Sequence, residues 1–310
     1  MLALLFPGQG SQQVGMGRDV CEASPAARAV YECADSVLGF PLSRLCFEGP
    51  EEELRRTEIQ QPAMLATSIA LLRALEEQAK PEPAFVLGHS LGEYSALVAA
   101  GALALEDGLA LVHARGRFMQ EAVAPGKGAM AAVLGLDAGA VGEACRRAAA
   151  ETGGVVSPAN LNAPEQTVIA GDAAAVECAT ALAKQAGAKR TVALPVSAPF
   201  HCALMAPAAE KLAAELARVR FRTPRVPVIS NVEAEANRDP ARIPALLERQ
   251  VTAPVRFVDC VRKLVALGVT RVLEVGPGSV LSGLVARIDR SVARAQVGNL
   301  AQLREAASGL

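Results

Sequence analysis

The sequence has 310 residues, enough for one large α/β domain or for one domain that carries a smaller one. Hydrophobic residues make up 51% of the chain and aromatic residues only 3%, so we expect a core of Ala, Val and Leu. The formal net charge of −1 lacks the basic excess typical of nucleic-acid binding, and no apolar segment approaches the ~20 residues that span a membrane.

The first third of the chain alternates between predicted strands and predicted helices. Residues 2–6 form an apolar run that ends at a Pro-Gly pair, which predicts a buried strand entering a tight loop. Residues 58–80 carry apolar side chains at helical spacing, with Pro62 assigned to the first turn. A short strand over 84–87 and an apolar helix over 91–100 follow.

The middle of the chain has a different order of predicted elements. A strand over 128–134 and a helix over 137–151 precede two strands over 155–160 and 166–170, a helix over 172–187 and a strand over 190–194. This βαββαβ order is typical of a ferredoxin-like domain. We therefore predict two domains, a ferredoxin-like small domain over 126–194 and a large domain made of 1–125 and 195–310.

The last third returns to the strand–helix pattern. An apolar strand over 271–275 is followed by a Gly-Pro-Gly turn and a helix over 279–287. Apolar strands that alternate with helices favour a parallel sheet covered on both faces. The predicted fold class is accordingly α/β, with a parallel sheet in the large domain.

Residues 88–92 read GHSLG, a G-x-S-x-G motif between a predicted strand and a predicted helix. The glycines permit a strained turn that exposes the Ser90 hydroxyl, and the following helix N-terminus favours developing negative charge. The alternative is a Gly-rich turn in which Ser90 only caps the helix. The flanking strand and helix favour the nucleophile.

A serine nucleophile needs a base, and the chain has three histidines. His89 adjoins Ser90 in a turn that should point its ring away, so we assign it a packing role. His113 lies within a predicted helix over 106–121, where a surface or helix-packing role is favoured. His201 follows a strand through the loop 197–200, at the kind of strand exit where α/β enzymes place catalytic groups. His201 is the predicted base.

Arg115 lies in line with apolar residues on the same predicted helix. Leu111, Arg115 and Met119 follow one another at four-residue spacing, so the cation faces the core. A buried charge requires a partner. The partner is either an internal Asp or Glu, or a substrate carboxylate held by two hydrogen bonds.

The loop after the first strand, GQGSQ at 8–12, lacks the third glycine of a dinucleotide fingerprint. It can still present backbone N–H groups to an anion, and together with Leu91 it predicts a two-donor oxyanion hole. No metal-ligand spacing, Walker sequence or acidic triad member can be identified. Seven cysteines without a CxxC pair favour free thiols, and we expect a cytoplasmic protein.

Seven motifs in order resemble the malonyl-CoA:acyl carrier protein transacylases of fatty-acid synthesis and the acyltransferase domains of polyketide synthases. They are FPGQGSQ at 6–12, QPAMLATS at 61–68, GHSLGEYSAL at 88–97, RGRFMQEAV at 115–123, APFHCALM at 198–205, RQVTAPVRF at 249–257 and LEVGPGSVL at 273–281. The resemblance implies an α/β-hydrolase-like large domain with a ferredoxin-like insertion and a site in the cleft between them.

The resemblance also implies a role for each matched residue. Ser90 would carry the acyl group, with His201 as base and then acid. The oxyanion would be held by the backbone N–H groups of two residues, Gln9 and Leu91. The malonyl carboxylate would bind Arg115, and the main-chain carbonyl of Gln250 would orient the histidine in place of an acid. In polyketide relatives, Phe at the position of Phe200 is typical of malonyl enzymes.

The implied reaction is a two-step transfer of malonyl from coenzyme A to the phosphopantetheine thiol of an acyl carrier protein, without metal or redox cofactor. We expect a free-standing, monomeric enzyme that docks its acidic carrier near Lys184, Lys189 and Arg190, although these residues fit an ordinary solvated surface nearly as well. The alternatives are a serine hydrolase, or a non-catalytic carrier-binding subunit in which the nucleophile or base would be damaged. The particular carrier protein and the choice between fatty-acid and polyketide synthesis stay open.

Overall fold

The structure, a computed structural model, describes residues 1–196 and 198–310. Ser197, which belongs to the loop predicted before His201, lies outside the described residues. The strands are β1 (Leu2–Phe6), β2 (Phe85–Gly88), β3 (Gly128–Leu134), β4 (Val156–Ala163), β5 (Gln166–Asp172), β6 (Arg190–Ala193), β7 (Val228–Ile229), β8 (Ala236–Asn237), β9 (Arg271–Val275) and β10 (Ala293–Val297).

The helices surround these strands in sequence and in space. They are α1 (Arg18–Ala23), α2 (Pro25–Leu38), α3 (Leu42–Glu48), α4 (Glu51–Leu54), α5 (Thr57–Gln78), α6 (Gly92–Ala99), α7 (Leu105–Glu121), α8 (Ala138–Thr152), α9 (Ala173–Gln185), α10 (Ala206–Leu216), α11 (Ile243–Thr252), α12 (Phe257–Ala266), α13 (Val280–Ile288) and α14 (Leu300–Ser308). Short 3₁₀ helices cover Ala203–Met205 and Pro240–Arg242.

Six strands form the large sheet in the order β10-β9-β1-β2-β7-β8, and every neighbouring pair except β7 and β8 is parallel. Both faces of this sheet are covered, as predicted. Along β1, Leu4 and Phe6 pack into one buried cluster while Ala3 and Leu5 pack into another, because successive side chains of a strand point to opposite faces. The carboxyl ends of β1, β2 and β9 therefore meet at one edge of the sheet.

Four strands form the small sheet, antiparallel throughout, in the order β4-β5-β3-β6. This is the strand order of a ferredoxin-like βαββαβ unit, which confirms the predicted α/β fold with a second, ferredoxin-like sheet. One face of the small sheet packs on α8 and α9 through Val133 and Ile169. The other face contributes Met130, Val168 and Ala170 to a cluster shared with the large sheet.

Two predicted details differ from the structure. The turn between β4 and β5 is not five residues long, because β4 continues to Ala163 through two register shifts and only two residues separate the strands. In α5, Pro62 is not in the first turn, because the helix already begins at Thr57.

His113 compensates for the missing N–H of Pro62. Proline cannot donate to the carbonyl four residues earlier, which here is the carbonyl of Glu58. His113 Nδ1 donates to this oxygen instead, at 2.9 Å, and the ring packs on Phe40. The helix continues through the proline to Gln78, with Gln60 and Gln61 in its buried N-terminal part.

Among the described residues, none of the helices combines the length and the apolar character required to cross a bilayer.

Candidate active site

Ser90 lies in the turn between β2 and α6 with a left-handed backbone, φ 52°. A β-carbon at Gly88 would lie 1.8 Å from the Gly92 carbonyl carbon, and one at Gly92 would lie 2.1 Å from the Phe6 carbonyl oxygen. Only glycine fits at both positions, so the G-x-S-x-G spacing is a steric requirement of this turn. The helix behind Ser90 thus begins in contact with the end of β1.

His201 contacts Ser90 on one side and a main-chain carbonyl on the other. Ser90 Oγ lies 2.7 Å from His201 Nε2, and His201 Nδ1 lies 2.7 Å from the carbonyl oxygen of Gln250 in α11. A carbonyl oxygen can only accept, so Nδ1 carries the proton and Nε2 is free to accept from the serine hydroxyl. This is the tautomer that a general base requires.

The environment of His201 keeps its ring neutral. Burial, reinforced by the nearby positive charge of Arg115, lowers the pKa of His201 to about 3. The imidazole is therefore unprotonated throughout the physiological pH range and can accept a proton from Ser90.

Arg115 is fully buried in α7 and points at the Ser90 hydroxyl. Its Nη2 donates to Ser90 Oγ at 3.1 Å and to Gln250 Oε1 at 3.0 Å, and its Nη1 donates to Gln61 Oε1 at 2.8 Å. Within residues 1–196 and 198–310, Arg115 forms no ion pair within 4.0 Å and its Nε lacks a hydrogen-bond partner. The predicted alternative of an internal ion pair is therefore not found, and the guanidinium contacts only neutral groups.

The predicted oxyanion donors lie on two loops in contact. A β-carbon on Gly8 would lie 2.5 Å from the carbonyl oxygen of His89, which shows how closely the loop after β1 approaches the Ser90 turn. In the described part of the chain, neither the Gln9 N–H nor the Leu91 N–H donates a hydrogen bond. Leu91 precedes α6, so its N–H belongs to the unpaired donors of a helix start.

Three polar side chains that sequence patterns did not reveal complete the site. Gln61 in α5 links Arg115 to Gln9, since its Nε2 donates to Gln9 Oε1 at 3.2 Å. Asn231, just after β7, accepts from the Ser90 N–H at 2.7 Å and donates to the Gly88 carbonyl at 2.7 Å. Glu93 in α6 accepts from Gln250 Nε2 at 2.7 Å and from the Asn231 N–H at 3.2 Å.

The signals that could have found them are weak. Gln61 and Glu93 are polar residues in largely buried helices, where an unpartnered polar group is costly. Asn231 follows a two-residue strand that has no pattern of its own.

The other two histidines have structural contacts. His89 Nε2 donates to Asn162 Oδ1 at 2.8 Å, and its ring packs on Phe257. His113 caps the Glu58 carbonyl as described above. Phe200, next to His201, is buried in the core cluster shared by both sheets.

This arrangement can perform acyl transfer on an anionic substrate. The neutral imidazole of His201 and the guanidinium of Arg115 both lie within hydrogen-bond distance of the Ser90 hydroxyl oxygen. Two free backbone N–H groups adjoin the same turn. The base is oriented by a carbonyl and not by a carboxylate, which differs from the acidic triad of a lipase-like hydrolase.

Comparison with known families identifies a match over almost the whole chain. The model of the acyl transferase domain matches residues 3–304. The malonyl CoA-acyl carrier protein transacylase of Escherichia coli (strain K12) is 50% identical over 286 residues, covering 92% of each chain. The transacylase of the same name from Bacillus subtilis (strain 168) is 51% identical over 289 residues, covering 93% of this chain and 90% of the relative.

Solved structures agree with the sequence comparison. An acyl carrier protein S-malonyltransferase from Vibrio cholerae superposes with a TM-score of 0.96 at 47% identity, covering 98% of this chain and 99% of the other. A malonyl-transacylase structure determined in complex with its type II polyketide synthase acyl-carrier protein gives a TM-score of 0.97 at 45% identity, covering 100% of this chain and 99% of the other.

Proposed function

Because this chain belongs to the acyl transferase domain family, we propose that it moves malonyl through an ester on Ser90. The enzyme transfers malonyl from malonyl-CoA to an acyl carrier protein, the activity named for relatives at about half sequence identity over nine-tenths of the chain. The observation that carries the proposed route is the convergence of His201 Nε2 and Arg115 Nη2 on Ser90 Oγ, at 2.7 and 3.1 Å.

The first half-reaction forms the malonyl-enzyme. Ser90 Oγ attacks the thioester carbonyl of malonyl-CoA while its proton passes to His201 Nε2. The tetrahedral oxyanion accepts hydrogen bonds from the N–H groups of Gln9 and Leu91. When the C–S bond breaks, His201 returns the proton to the sulfur, and coenzyme A leaves as a thiol.

The second half-reaction repeats these steps with the carrier protein. The phosphopantetheine thiol gives its proton to His201 Nε2 and attacks the Ser90 ester. Collapse of the second tetrahedral intermediate breaks the C–O bond, and the proton returns to Ser90 Oγ. The imidazolium that forms in each half-reaction is oriented by the Gln250 carbonyl.

Arg115 selects malonyl in this scheme. Its guanidinium forms no direct ion pair in the described structure, so the distal carboxylate of malonyl is the anion that can bond to it directly. Neutralisation has a second effect, because the charge of Arg115 is one of the causes that lower the pKa of His201. A bound malonyl group therefore raises the basicity of His201, whereas an acetyl group does not.

The test of the proposed route is identification of the acylated residue. Incubation with radiolabelled malonyl-CoA followed by peptide mass spectrometry should place the label on Ser90. Ser90→Ala should fold normally and take up no stable label, and His201→Ala should be acylated about 100-fold or more slowly. Stable labelling of Ser90→Ala would move the nucleophile elsewhere and contradict the route.

We propose that no metal or redox cofactor takes part. Every proton in the scheme moves between Ser90, His201 and a thiol, the developing oxyanion faces N–H groups, and the imidazolium faces the Gln250 carbonyl. Dialysis against a chelator should leave the transfer rate unchanged, and a loss restored by added metal would contradict this.

The carrier protein is proposed to dock beside the strand that leads to His201. Lys184 lies in the last turn of α9, and Arg190 begins β6. Both are exposed, together with Lys189, whose Nζ lies 3.6 Å from Glu165 Oε2. Replacing the three cations with Glu should raise the apparent KM for the carrier protein or for coenzyme A thioester, and added salt should weaken the wild-type interaction. Unchanged kinetics with both substrates would contradict this docking site.

We also propose the division into a large domain (1–125 and 195–310) and a small domain (126–194). The elements from β3 to β6 all lie within the second range, which supports the division. Limited proteolysis should cut near 125 or 195 before it cuts within either range.

We also propose that the protein is a monomer, which light scattering would test, and that it is located in the cytoplasm. The proposed location is supported by the seven cysteines, which are all free.

A further inference from the structure

The side-chain amide of Gln250 is held between a cation and an acid. Its Oε1 accepts from Arg115 Nη2 at 3.0 Å, while its Nε2 donates to Glu93 Oε2 at 2.7 Å and to the Ser90 carbonyl at 3.1 Å. Rotation of this amide by 180° would place N–H groups against the guanidinium and an oxygen against two acceptors. One orientation satisfies all three contacts, and the opposite orientation satisfies none.

Glu93 provides the strongest acceptor for that orientation. Its side chain is 3% exposed, and when ionised it can only accept hydrogen bonds. The same Oε2 atom accepts from the N–H of Asn231, whose side chain holds the Ser90 N–H and the Gly88 carbonyl. One carboxylate oxygen thus connects α6, α11 and the segment after β7, which are three of the parts of the chain that contact the Ser90 turn.

Glu93 also interacts electrostatically with Arg115, without forming a direct ion pair with its guanidinium. Burial raises the pKa of Glu93 to about 7, and the charge of Arg115 opposes this rise without cancelling it. The two groups are bridged by the Gln250 amide rather than in direct contact. A direct ion pair would compete with a substrate carboxylate for the guanidinium, whereas a bridged pair leaves it available.

We propose that Glu93 is a positioning residue for malonyl selectivity: through Gln250 it holds the Arg115 guanidinium in the position where it receives the substrate carboxylate. This inference rests on the proposed binding of malonyl by Arg115. It assigns no contact between Glu93 and the substrate, and it separates Glu93 from the acid of a catalytic triad, since His201 Nδ1 is bonded to the Gln250 carbonyl.

The direct test is Glu93→Gln, which keeps the shape of the side chain and removes its charge. The new amide can present an N–H to Gln250 Oε1 and so permits the flipped orientation. We expect kcat/KM for malonyl-CoA to fall about 10- to 100-fold and kcat/KM for acetyl-CoA to change less than about 3-fold. The matched control is Glu274→Gln, which alters another buried carboxylate that accepts two backbone N–H groups, from Leu281 and Ser282.

The pH profile gives a readout that a purely structural role would not move. In the wild type, kcat/KM for malonyl-CoA should rise as Glu93 ionises near pH 7, and this step should be absent from Glu93→Gln. The other ionisable groups that interact with Glu93 are Arg115, Tyr94 and Cys260. Burial raises the pKa of the tyrosine and of the thiol, and the guanidinium stays charged, so none of these three produces a step near pH 7.

A second variant tests the same link if Glu93→Gln does not fold. Gln250→Met removes the side-chain amide, including its bond to the Ser90 carbonyl, and keeps the main-chain carbonyl that binds His201, so kcat/KM should fall by a larger factor for malonyl-CoA than for acetyl-CoA. Equal losses with both thioesters, or an unchanged preference in either folded variant, would overturn the role of Glu93. A wild type without any malonyl preference would instead overturn the proposed function.

Discussion

Arg115 carries a positive charge although none of its side chain is exposed. An acetyl substrate leaves this guanidinium without a directly bonded anion, and removing one partner of a buried ion pair costs about 3 to 5 kcal/mol. The wild type should therefore prefer malonyl-CoA over acetyl-CoA by at least ~100-fold, which requires only about 2.7 kcal/mol.

Arg115→Ala should lower kcat/KM for malonyl and spare or improve the rate with acetyl. Arg115→Lys should recover little, because an ammonium group cannot form the planar two-pronged contact. Steady-state kinetics of both thioesters decide the matter. If Arg115→Ala loses activity equally with both, Arg115 has a structural role.

The base His201 should titrate far below neutrality in the wild type. Because its pKa is lowered to about 3 by burial and by Arg115, acylation of Ser90 by acetyl-CoA should not fall between pH 7 and pH 5. In Arg115→Ala one cause of the lowering is gone, so the acid limb should shift upwards towards the ordinary histidine pKa of about 6.5. Rapid-quench mass spectrometry across pH 4–8 measures both profiles, and a wild-type limb near pH 6.5 would contradict this.

The positions of residues with a local sequence signature could be predicted, and those of residues without one could not. The glycines around Ser90 predict the turn in which it lies, and Arg115 is conspicuous on an apolar helix face. Gln61, Glu93 and Asn231 act through contacts across 54 to 157 residues of sequence, with partners such as Gln250. A polar residue in a helix shows no such partner until the chain is folded, so sequence patterns could not assign their positions in the site.

At the scale of single elements, a double-mutant cycle can test whether His113 replaces the helix hydrogen bond that Pro62 cannot donate to the Glu58 carbonyl. His113→Phe keeps the ring beside Phe40 and leaves the Glu58 carbonyl without its donor, which should cost about 1 to 2 kcal/mol of unfolding free energy. Pro62→Ala supplies a backbone N–H to the same carbonyl.

The alanine should therefore stabilise His113→Phe more than it stabilises the wild type, by about 1 kcal/mol in urea titrations. Transfer activity should stay close to that of the wild type in all three variants. Effects that simply add would mean that His113 and Pro62 are not coupled through Glu58.

Element prediction succeeded where a pattern was long enough. Strands β1, β2 and β9 are apolar runs, and the small sheet follows from the order of its elements. Strands β7 and β8 have two residues each, and β10 (sequence ARAQV) lies at the sheet edge with its first three residues exposed. These three strands acquire their conformation from neighbours that are distant in sequence, so a local pattern could not reveal them.

For the whole molecule, the free energy of unfolding should vary with pH. Two buried groups, Glu93 and His201, contribute to this dependence in opposite directions. Burial raises the pKa of Glu93 from 4.5 to about 7, so the folded state binds more protons than the unfolded state and stability falls as pH rises through that window. The pKa of His201 is lowered from 6.5 to about 3, so its contribution to stability rises between those values. In the overlap, from pH 4.5 to 6.5, the two slopes oppose each other.

Glu93→Gln removes one of the two slopes. Between pH 4.5 and 7, its free energy of unfolding should increase with pH by about 1.4 kcal/mol per unit more than that of the wild type, as measured by urea titration. Parallel curves for the two proteins would mean that Glu93 is already ionised at pH 4.5 in the folded state, so that its pKa is not raised.

The carbonyl that contacts His201 belongs to the main chain of Gln250, so substitution of the Gln250 side chain does not remove it. A triad acid can be lost by a single nucleotide change, whereas every residue type that can occupy position 250 supplies the same carbonyl oxygen. A substitution at position 250 changes the side chain that contacts Arg115. It leaves in place the carbonyl oxygen that contacts His201. We therefore expect that substitutions at position 250 can change substrate preference without passing through an inactive enzyme. The side chain of this residue contacts Arg115, whereas its main chain contacts His201.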